Sequence, residues 1–351
     1  MRAATWVLRL TVFSAGLLAC SSGNDNEGQS ASAQAGQGQG GATTTPMTPA
    51  SGGSSGAGPV AGGANGAGGV PGAGGSTGLT AGMGGEAGAG GGQSVAADAG
   101  MNQGTEQPSG GCGGAAAPPS GALSLEVDGT MRTYIVSLPA GYDLQQAYPL
   151  VFAFHGLGGS GELVSNPFYF GIEQKGGTPS IFVYPDGLDA GEGEPGWPNT
   201  DGRDVAFFDA LLQTLTSQYC VDENRVFSTG HSYGGIMTHT LACQRAAVLR
   251  AVAPVAGAHF GFAPCEGGAM AALGIHGNPD ELVAYDEGVA AMARIRGANG
   301  CSEITSDVGD GCLAYECDPG YPVTWCEHGD GHNWPDFAAQ RIKDFFDGFV
   351  Q

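Results

Sequence analysis

Arg225-Val226-Phe227-Ser228-Thr229-Gly230-His231-Ser232-Tyr233-Gly234-Gly235 is the stretch whose reading decides the fold. Its first five residues read as a buried strand. Gly235-Ile236-Met237-Thr238-His239-Thr240-Leu241-Ala242-Cys243 reads as a helix. Between them Gly230-His231-Ser232-Tyr233-Gly234 is a G-x-S-x-G turn, and strand, G-x-S-x-G, helix is the context of a nucleophile elbow. The turn is sharp enough that side chains two residues either side of Ser232 would collide, which only glycine avoids. Ser232 itself is expected in a strained backbone conformation with its hydroxyl held clear of the sheet.

Further strands and helices alternate around this turn. Leu123–Val127 and Met131–Leu138 flank Asp128-Gly129-Thr130, a hairpin signal. Pro149–His155 and Ser180–Tyr184 are continuous apolar runs of the kind that fill strands buried on both faces. Asp204 is placed to cap a helix through Val205, Phe208, Leu211, Leu212 and Leu215, whose apolar residues recur at three- and four-residue spacing. Strands follow at Ala251–Val255, Ala271–His276 and Val323–Glu327, with helices near Val283–Arg294 and Pro335–Phe349. The pattern predicts an α/β fold: a mainly parallel sheet with helices on both faces and an antiparallel N-terminal hairpin. In such sheets the chemistry gathers at the carboxyl ends of the strands.

Three residue types at those ends belong to one mechanism. Ser232 follows one strand, Asp280 another (His276-Gly277-Asn278-Pro279-Asp280), and His332 a third (Gly329-Asp330-Gly331-His332-Asn333-Trp334). The chain order Ser, Asp, His is that of an α/β-hydrolase triad. A serine hydroxyl becomes a good nucleophile when an imidazole takes its proton, and a carboxylate fixes that imidazole's tautomer. The developing oxyanion needs donors. The backbone N–H of Tyr233 is one, and that of Leu157, in the loop His155-Gly156-Leu157-Gly158-Gly159, is the second. His328 is the rival base, and Asp186 and Asp204 are the reserve acids. His231 is expected to face away from the nucleophile's partner, and His155, His239, His259 and His276 read as packing or supporting residues.

The flanking sequence bounds the setting. Met1-Arg2, a short apolar run and Leu17-Leu18-Ala19-Cys20 form a signal peptide over residues 1–20, with Cys20 as a lipidation site like that of a bacterial lipobox. Residues 21–118 are rich in Gly, Ala and Ser with almost no large apolar side chains, and read as a disordered tether. Residues 119–351 are long enough for one domain. From 119 onward there are 10 basic and 29 acidic residues, a balance of −19, which disfavours nucleic acid and anionic surfaces as partners. Setting Cys20 aside, eight of the nine cysteines remain, an even number that predicts four disulfides in an exported chain. Cys301, Cys312, Cys317 and Cys326 fall close together, where bridges would pin a long loop. No paired spacing suits zinc, so no metal is expected.

Arg132-Thr133-Tyr134, Leu138–Asp143, Pro149–Gly159, Tyr184–Gly187, Asp204–Phe207, Cys220–Asp222, Arg225–Gly235, His276–Asp280 and Gly331–Pro335 together resemble the secreted feruloyl esterase and polyhydroxybutyrate depolymerase group, carbohydrate esterase family one. The resemblance spans essentially all of 119–351. It implies an α/β-hydrolase fold, a Ser232-Asp280-His332 triad, no cofactor, and a serine esterase acting on plant cell-wall esters. The alternative substrate is a polyester, and more distant alternatives are a peptidase or a non-catalytic display protein. Ala284 stands where the family usually has proline, and Leu157 where depolymerases often carry cysteine. Trp197, Trp334 and Tyr233 are candidate aromatic walls for substrate. The expected product is a monomer outside the cell, held to the outer membrane only through a lipid on Cys20.

Overall fold

The computed structural model describes residues 105–260 and 267–349. The signal segment, Cys20 and the tether as far as residue 104 lie outside the described residues, as does Cys265. The elements, in chain order, are β1 (Gly121–Val127), β2 (Thr130–Ser137), β3 (Tyr148–Phe154), α1 (Gly161–Ser165), β4 (Ile181–Pro185), β5 (Leu188–Asp189), β6 (Pro195–Gly196), α2 (Arg203–Gln218), β7 (Val221–His231), α3 (Tyr233–Gln244), β8 (Ala251–Val255), β9 (Ala271–Gly277), α4 (Tyr285–Ala298), β10 (Thr305–Asp307), β11 (Cys312–Tyr315), β12 (Val323–His328) and α5 (Ala338–Asp347).

Ten strands form one sheet in the order β1-β2-β4-β3-β7-β8-β9-β12-β11-β10, and β5 pairs with β6 apart from it. The central run from β4 to β12 is parallel. The expected hairpin β1–β2 joins that run antiparallel through β4. β3 shows why its sequence is an unbroken apolar run: Leu150, Phe152 and Phe154 point into one core, Val151 and Ala153 into the other. Strand side chains alternate between faces, and here both faces are covered. α2, α3 and α4 supply Phe208, Leu211, Met237, Leu241 and Met292 to the first core. α1 and α5 supply Val164, Ile342 and Phe346 to the second.

Two features depart from the sequence reading. The cysteine-rich segment, expected as a pinned loop, instead extends the sheet: β10 pairs with β11 and β11 with β12, all antiparallel. Cys312 lies opposite Cys326 in that ladder and is bonded to it, while Cys301 is bonded to Cys317. The crosslink fixes the register that short, exposed strands would not hold alone. Second, Asp204 lies inside α2 rather than before it. The capping role falls to Asn199, whose Oδ1 accepts from the backbone N–H groups of Asp204 and Val205. Asp204 turns inward, where its Oδ1 is 2.9 Å from the Arg132 guanidinium and both side chains are buried.

The last residues of the stretch read as tether are held against the domain. Ser109 donates its backbone N–H to Val221, and Cys112 is bonded to Cys220. Cys243 is also in a disulfide.

Candidate active site

Ser232 sits between β7 and α3 at φ 58° and ψ −119°. A non-glycine residue there is strained by about 1–3 kcal/mol, and such strain persists only where the surroundings enforce it. They do: the Ser232 N–H donates to Val255 O at 3.0 Å, and its carbonyl accepts from Ile236 N at 2.9 Å. A Cβ on Gly234 would lie 2.0 Å from the carbonyl oxygen of Phe154, and one on Gly230 would lie 2.5 Å from the Gly234 backbone. The elbow therefore requires both glycines, and its collision partner is the end of β3 as well as the turn itself.

β9 and β12 bring the other two residues. They are parallel neighbours with His328 opposite Gly277, so the loops that leave them run side by side. Asn278 N donates to His328 O at 2.9 Å, and a Cβ on Gly277 would lie 2.1 Å from the carbonyl oxygen of Gly331. The close approach carries His332 over to Asp280. His332 Nδ1 lies 2.7 Å from Asp280 Oδ2, and Nε2 lies 2.7 Å from Ser232 Oγ. A carboxylate only accepts, so Nδ1 carries the proton and Nε2 is free to accept from the serine. The three residues thus form one continuous relay from hydroxyl to buried carboxylate.

Asp280 is almost fully engaged. Its Oδ1 accepts from the backbone N–H groups of Leu282 at 2.9 Å and Val283 at 3.0 Å. Its Oδ2 accepts from His332 and also faces His276 Nε2 at 3.2 Å. His276 Nε2 lies 2.9 Å from Val283 O, so it is the protonated nitrogen, shared between that carbonyl and Asp280. Burial holds the His276 pKa below its usual value, so the ring acts as a neutral donor. The loop from Asp280 follows this network as far as Ala284, the residue before α4.

The candidate oxyanion loop, His155–Gly159, leaves the end of β3. His155 is fully buried; its Nε2 accepts from Gly187 N at 2.9 Å, so Nδ1 carries the proton and donates to Gly156 O at 2.6 Å. Gly159 N also donates to Gly156 O. These bonds turn the carbonyl of Gly156 inward and leave the N–H of Leu157, among the described residues, without a protein acceptor. Gly156 lies beside the nucleophile: a Cβ on it would meet Ser232 Cβ at 3.4 Å. The N–H of Tyr233 is the first of the α3 donors that have no intrahelical partner.

The other candidates separate cleanly. His328 turns toward Asp330 and Phe337, not the serine. Asp186 accepts from Gly161 N and Thr133 Oγ1, and Asp204 is committed to Arg132 and Asn199 N, so neither reserve acid meets His332. Trp197 is a correction: it is 2% exposed, edge-on to Phe154, and donates Nε1–H to His155 O. It supports the His155–Gly159 loop from inside and, being buried, does not line a cleft. Trp334 is half-buried and stacks on Phe170 at 4.0 Å. His231 is the second correction. It does not face away; its Nε2 donates to the backbone carbonyl of His332 at 3.1 Å, and its ring lies 5.1 Å from that of His332. Burial, with His332 adding to it, lowers the His231 pKa to about 4, so the ring is neutral near pH 7. Nothing in the sequence marks this contact, because the partner is a backbone carbonyl 101 positions away.

Residues 194–259, around the elbow, match the prolyl oligopeptidase family. Feruloyl esterase D of Neurospora crassa is 37% identical over 273 residues, covering 67% of this chain and 92% of the fungal protein. Probable feruloyl esterase C of Aspergillus niger is 40% identical over 178 residues, covering 48% of this chain and 63% of that protein. The chain thus spans slightly under two thirds of that second relative. Among solved structures, acetyl xylan esterase from Aspergillus awamori superposes with a TM-score of 0.52 at 16% identity, over 65% of this chain and 99% of that one, which supports the fold alone.

Proposed function

This chain belongs to the feruloyl esterase family of carboxylic-ester hydrolases, and from that membership we propose that it cleaves feruloyl-type esters of plant cell-wall polysaccharides through an acyl-enzyme on Ser232. The observation that carries the proposal is the relay Ser232–His332–Asp280, closed by two 2.7 Å contacts on a strained elbow. Ser232 Oγ attacks the ester carbonyl while His332 Nε2 takes its proton. The N–H groups of Tyr233 and Leu157 receive the oxyanion. His332, stabilised by Asp280, then protonates the departing alcohol, and in the second half it activates the water that releases the acid.

The match to the prolyl oligopeptidase family covers only the elbow region. It supports the shared architecture and gives no preference for amides. The polyester alternative has no comparable support. We place the enzyme outside the cell, because disulfides persist in oxidising surroundings and three are described here. The N-terminal signal and Cys20 would make it a lipid-tethered domain at the cell surface.

The test is hydrolysis of methyl ferulate, a hydroxybutyrate oligomer and a peptide ester-and-amide pair by the purified chain and its Ser232→Ala variant. Ferulate turnover that disappears in the variant is the expected result. Turnover of the oligomer or the peptide amide, without the ferulate, would overturn the reading.

A further inference from the structure

His276 lies near the end of β9, four positions before Asp280, and is 1% exposed. It is a second buried imidazole beside a relay that already has its base. Its Nε2 reaches Asp280 Oδ2 at 3.2 Å and Val283 O at 2.9 Å. Val283 in turn donates its N–H to Asp280 Oδ1 at 3.0 Å. The three residues therefore close a ring of hydrogen bonds, from one carboxylate oxygen through Val283 to His276 and back to the other oxygen. Leu282 N adds a second donor on Oδ1. The torsion that turns a carboxylate is broad, so an aspartate left alone has little preference for which oxygen it presents. The ring sets that torsion from both sides, and Oδ2 is the oxygen held 2.7 Å from His332 Nδ1.

The imidazole is itself held on its remaining sides. Gly288 of α4 lies against its other edge: a Cβ there would stand 2.3 Å from Nδ1 and 2.7 Å from Cε1. Glycine weakens a helix interior, and here it leaves the ring its room. Tyr285 stands edge-on to the ring at 5.9 Å, and Trp325 lies 6.1 Å away. Those two walls are tied together through Glu327 Oε1, which accepts from Tyr285 OH and from Trp325 Nε1. A half-turn of the imidazole would put Cε1 where Nε2 is and leave a buried carbonyl, Val283 O, without its donor, which is costly. One orientation and one tautomer are therefore enforced.

We propose that His276 is a positioning residue of the relay: through Val283 and Asp280 it fixes the acid so that Oδ2 holds the Nδ1 proton of His332, with Gly288 kept small to admit it. The role rests on the Ser232–His332–Asp280 reading above and adds a member that acts through the acid. A neutral donor suits the task. Asp280 must keep its full charge for the imidazolium that forms when His332 takes the serine proton. A lysine or arginine at the same oxygen would oppose that charge, whereas an N–H of a neutral ring orients the carboxylate and leaves its charge in place. Loss of this orientation should lower kcat with KM kept, because it is felt as His332 takes the proton and not as the ester binds.

The experiment compares two amides at one position of the full chain. His276→Gln carries an NH2 at about the place of Nε2, so it can still reach Val283 O and Asp280. His276→Asn carries the same group one methylene short of them. The expected result on methyl ferulate is a loss in kcat of about 100-fold for His276→Asn, with KM within about twofold of the wild type. His276→Gln should recover kcat to within about tenfold of the wild type. Gly288→Ala should displace the imidazole and lower kcat in the same way, and in His276→Asn, where the ring is gone, it should cost little more. The His332 Nδ1 proton, read by NMR as a low-field resonance without substrate, should persist in His276→Gln and shift or broaden in His276→Asn. Equal kcat for the two amides, a loss carried by KM, additive losses in the double variant, or an unchanged resonance in His276→Asn would each overturn the role. If His276→Asn does not fold, Gly288→Ala, which adds a single methyl, decides it through the same kcat and the same resonance. A wild type without Ser232-dependent hydrolysis removes the esterase reading, and the resonance still decides whether His276 sets the His332 proton.

Discussion

Replacing Asp280 by asparagine tests the relay at its least visible member. Four donors face this carboxylate: the N–H groups of Leu282 and Val283 at Oδ1, and His332 Nδ1 and His276 Nε2 at Oδ2. An amide offers one oxygen and one NH2, so it must present donors to one of these two sets. The backbone N–H groups cannot change their protonation. The His332 ring can, by moving its proton from Nδ1 to Nε2. The favoured orientation therefore keeps the oxygen on Leu282 and Val283 and turns the NH2 toward His332, which then holds its proton at Nε2 against Ser232. In that tautomer it cannot take the serine proton. The expected loss in kcat is about 10⁴-fold, the scale of a wrong-tautomer imidazole in a serine hydrolase, equivalent to about 5.5 kcal/mol at 1.36 kcal/mol per decade. Stability should fall much less, by about 1–3 kcal/mol, because two of the accepted bonds survive. The assay is initial-rate kinetics on methyl ferulate with a thermal melt of the same preparation. Asp204→Asn is the control, since it disrupts a buried ion pair that does not touch His332; it should cost stability, with no loss in kcat comparable to that of Asp280→Asn. An Asp280→Asn enzyme within tenfold of the wild-type kcat, or an Asp204→Asn enzyme that loses more, would refute the argument.

Gly234→Ala should yield no active elbow, because the new methyl would lie 2.0 Å from a backbone oxygen that no side-chain rotation can move; activity and the melting temperature should fall together. Acid should destabilise the fold: burial lowers the pKa of His231 to about 4 and that of His239 to about 3, from an ordinary 6.5. The unfolded chain then binds protons that the native one refuses, so this contribution is complete above about pH 6.5 and is lost as the pH falls toward 4 and 3. The melting temperature measured from pH 7 to 4 checks the sign, and a rise on acidification would contradict it. Cys112→Ser with Cys220→Ser should lower stability by about 2–5 kcal/mol, since the bridge closes a span of 108 residues and clamps the segment around Pro108 and Ser109 to β7; denaturant unfolding measures it, and the kcat of the folded fraction should remain.

Much of this was legible because the chemistry imposes local patterns. The elbow needs glycine at fixed offsets, and a strand covered on both faces reads as an unbroken apolar run, as in Pro149–Phe154. The serine, the acid and the base each follow a strand, in an order that one sheet topology allows. These are constraints within ten or so residues, and a chain displays them directly. The position of Trp197 was not legible, because an aromatic residue in a polar loop reads the same whether it walls a cleft or fills the core beneath one; only the packing on Phe154 and the bond to His155 decided it.

The same holds for the bonds that tune the site. His231 meets a carbonyl of the loop that carries the base, and His276 shares an oxygen with that base. Both depend on where β7, β9 and β12 end relative to one another, and strand endings are set by the summed packing of two cores rather than by any residue in the loops. The cysteine segment became sheet for a similar reason: the Cys312–Cys326 pairing is a statement about a ladder, and cysteine spacing alone is compatible with many pairings. The sequence by itself determined the elbow serine, the short list of acids and bases that follow strands, and the sheet that presents them, because each is a short-range requirement. The tertiary structure alone decided which aromatic rings face solvent, which carboxylate meets the imidazole and what holds that imidazole in place, because those contacts join residues about fifty to a hundred positions apart and form only once the layers have packed.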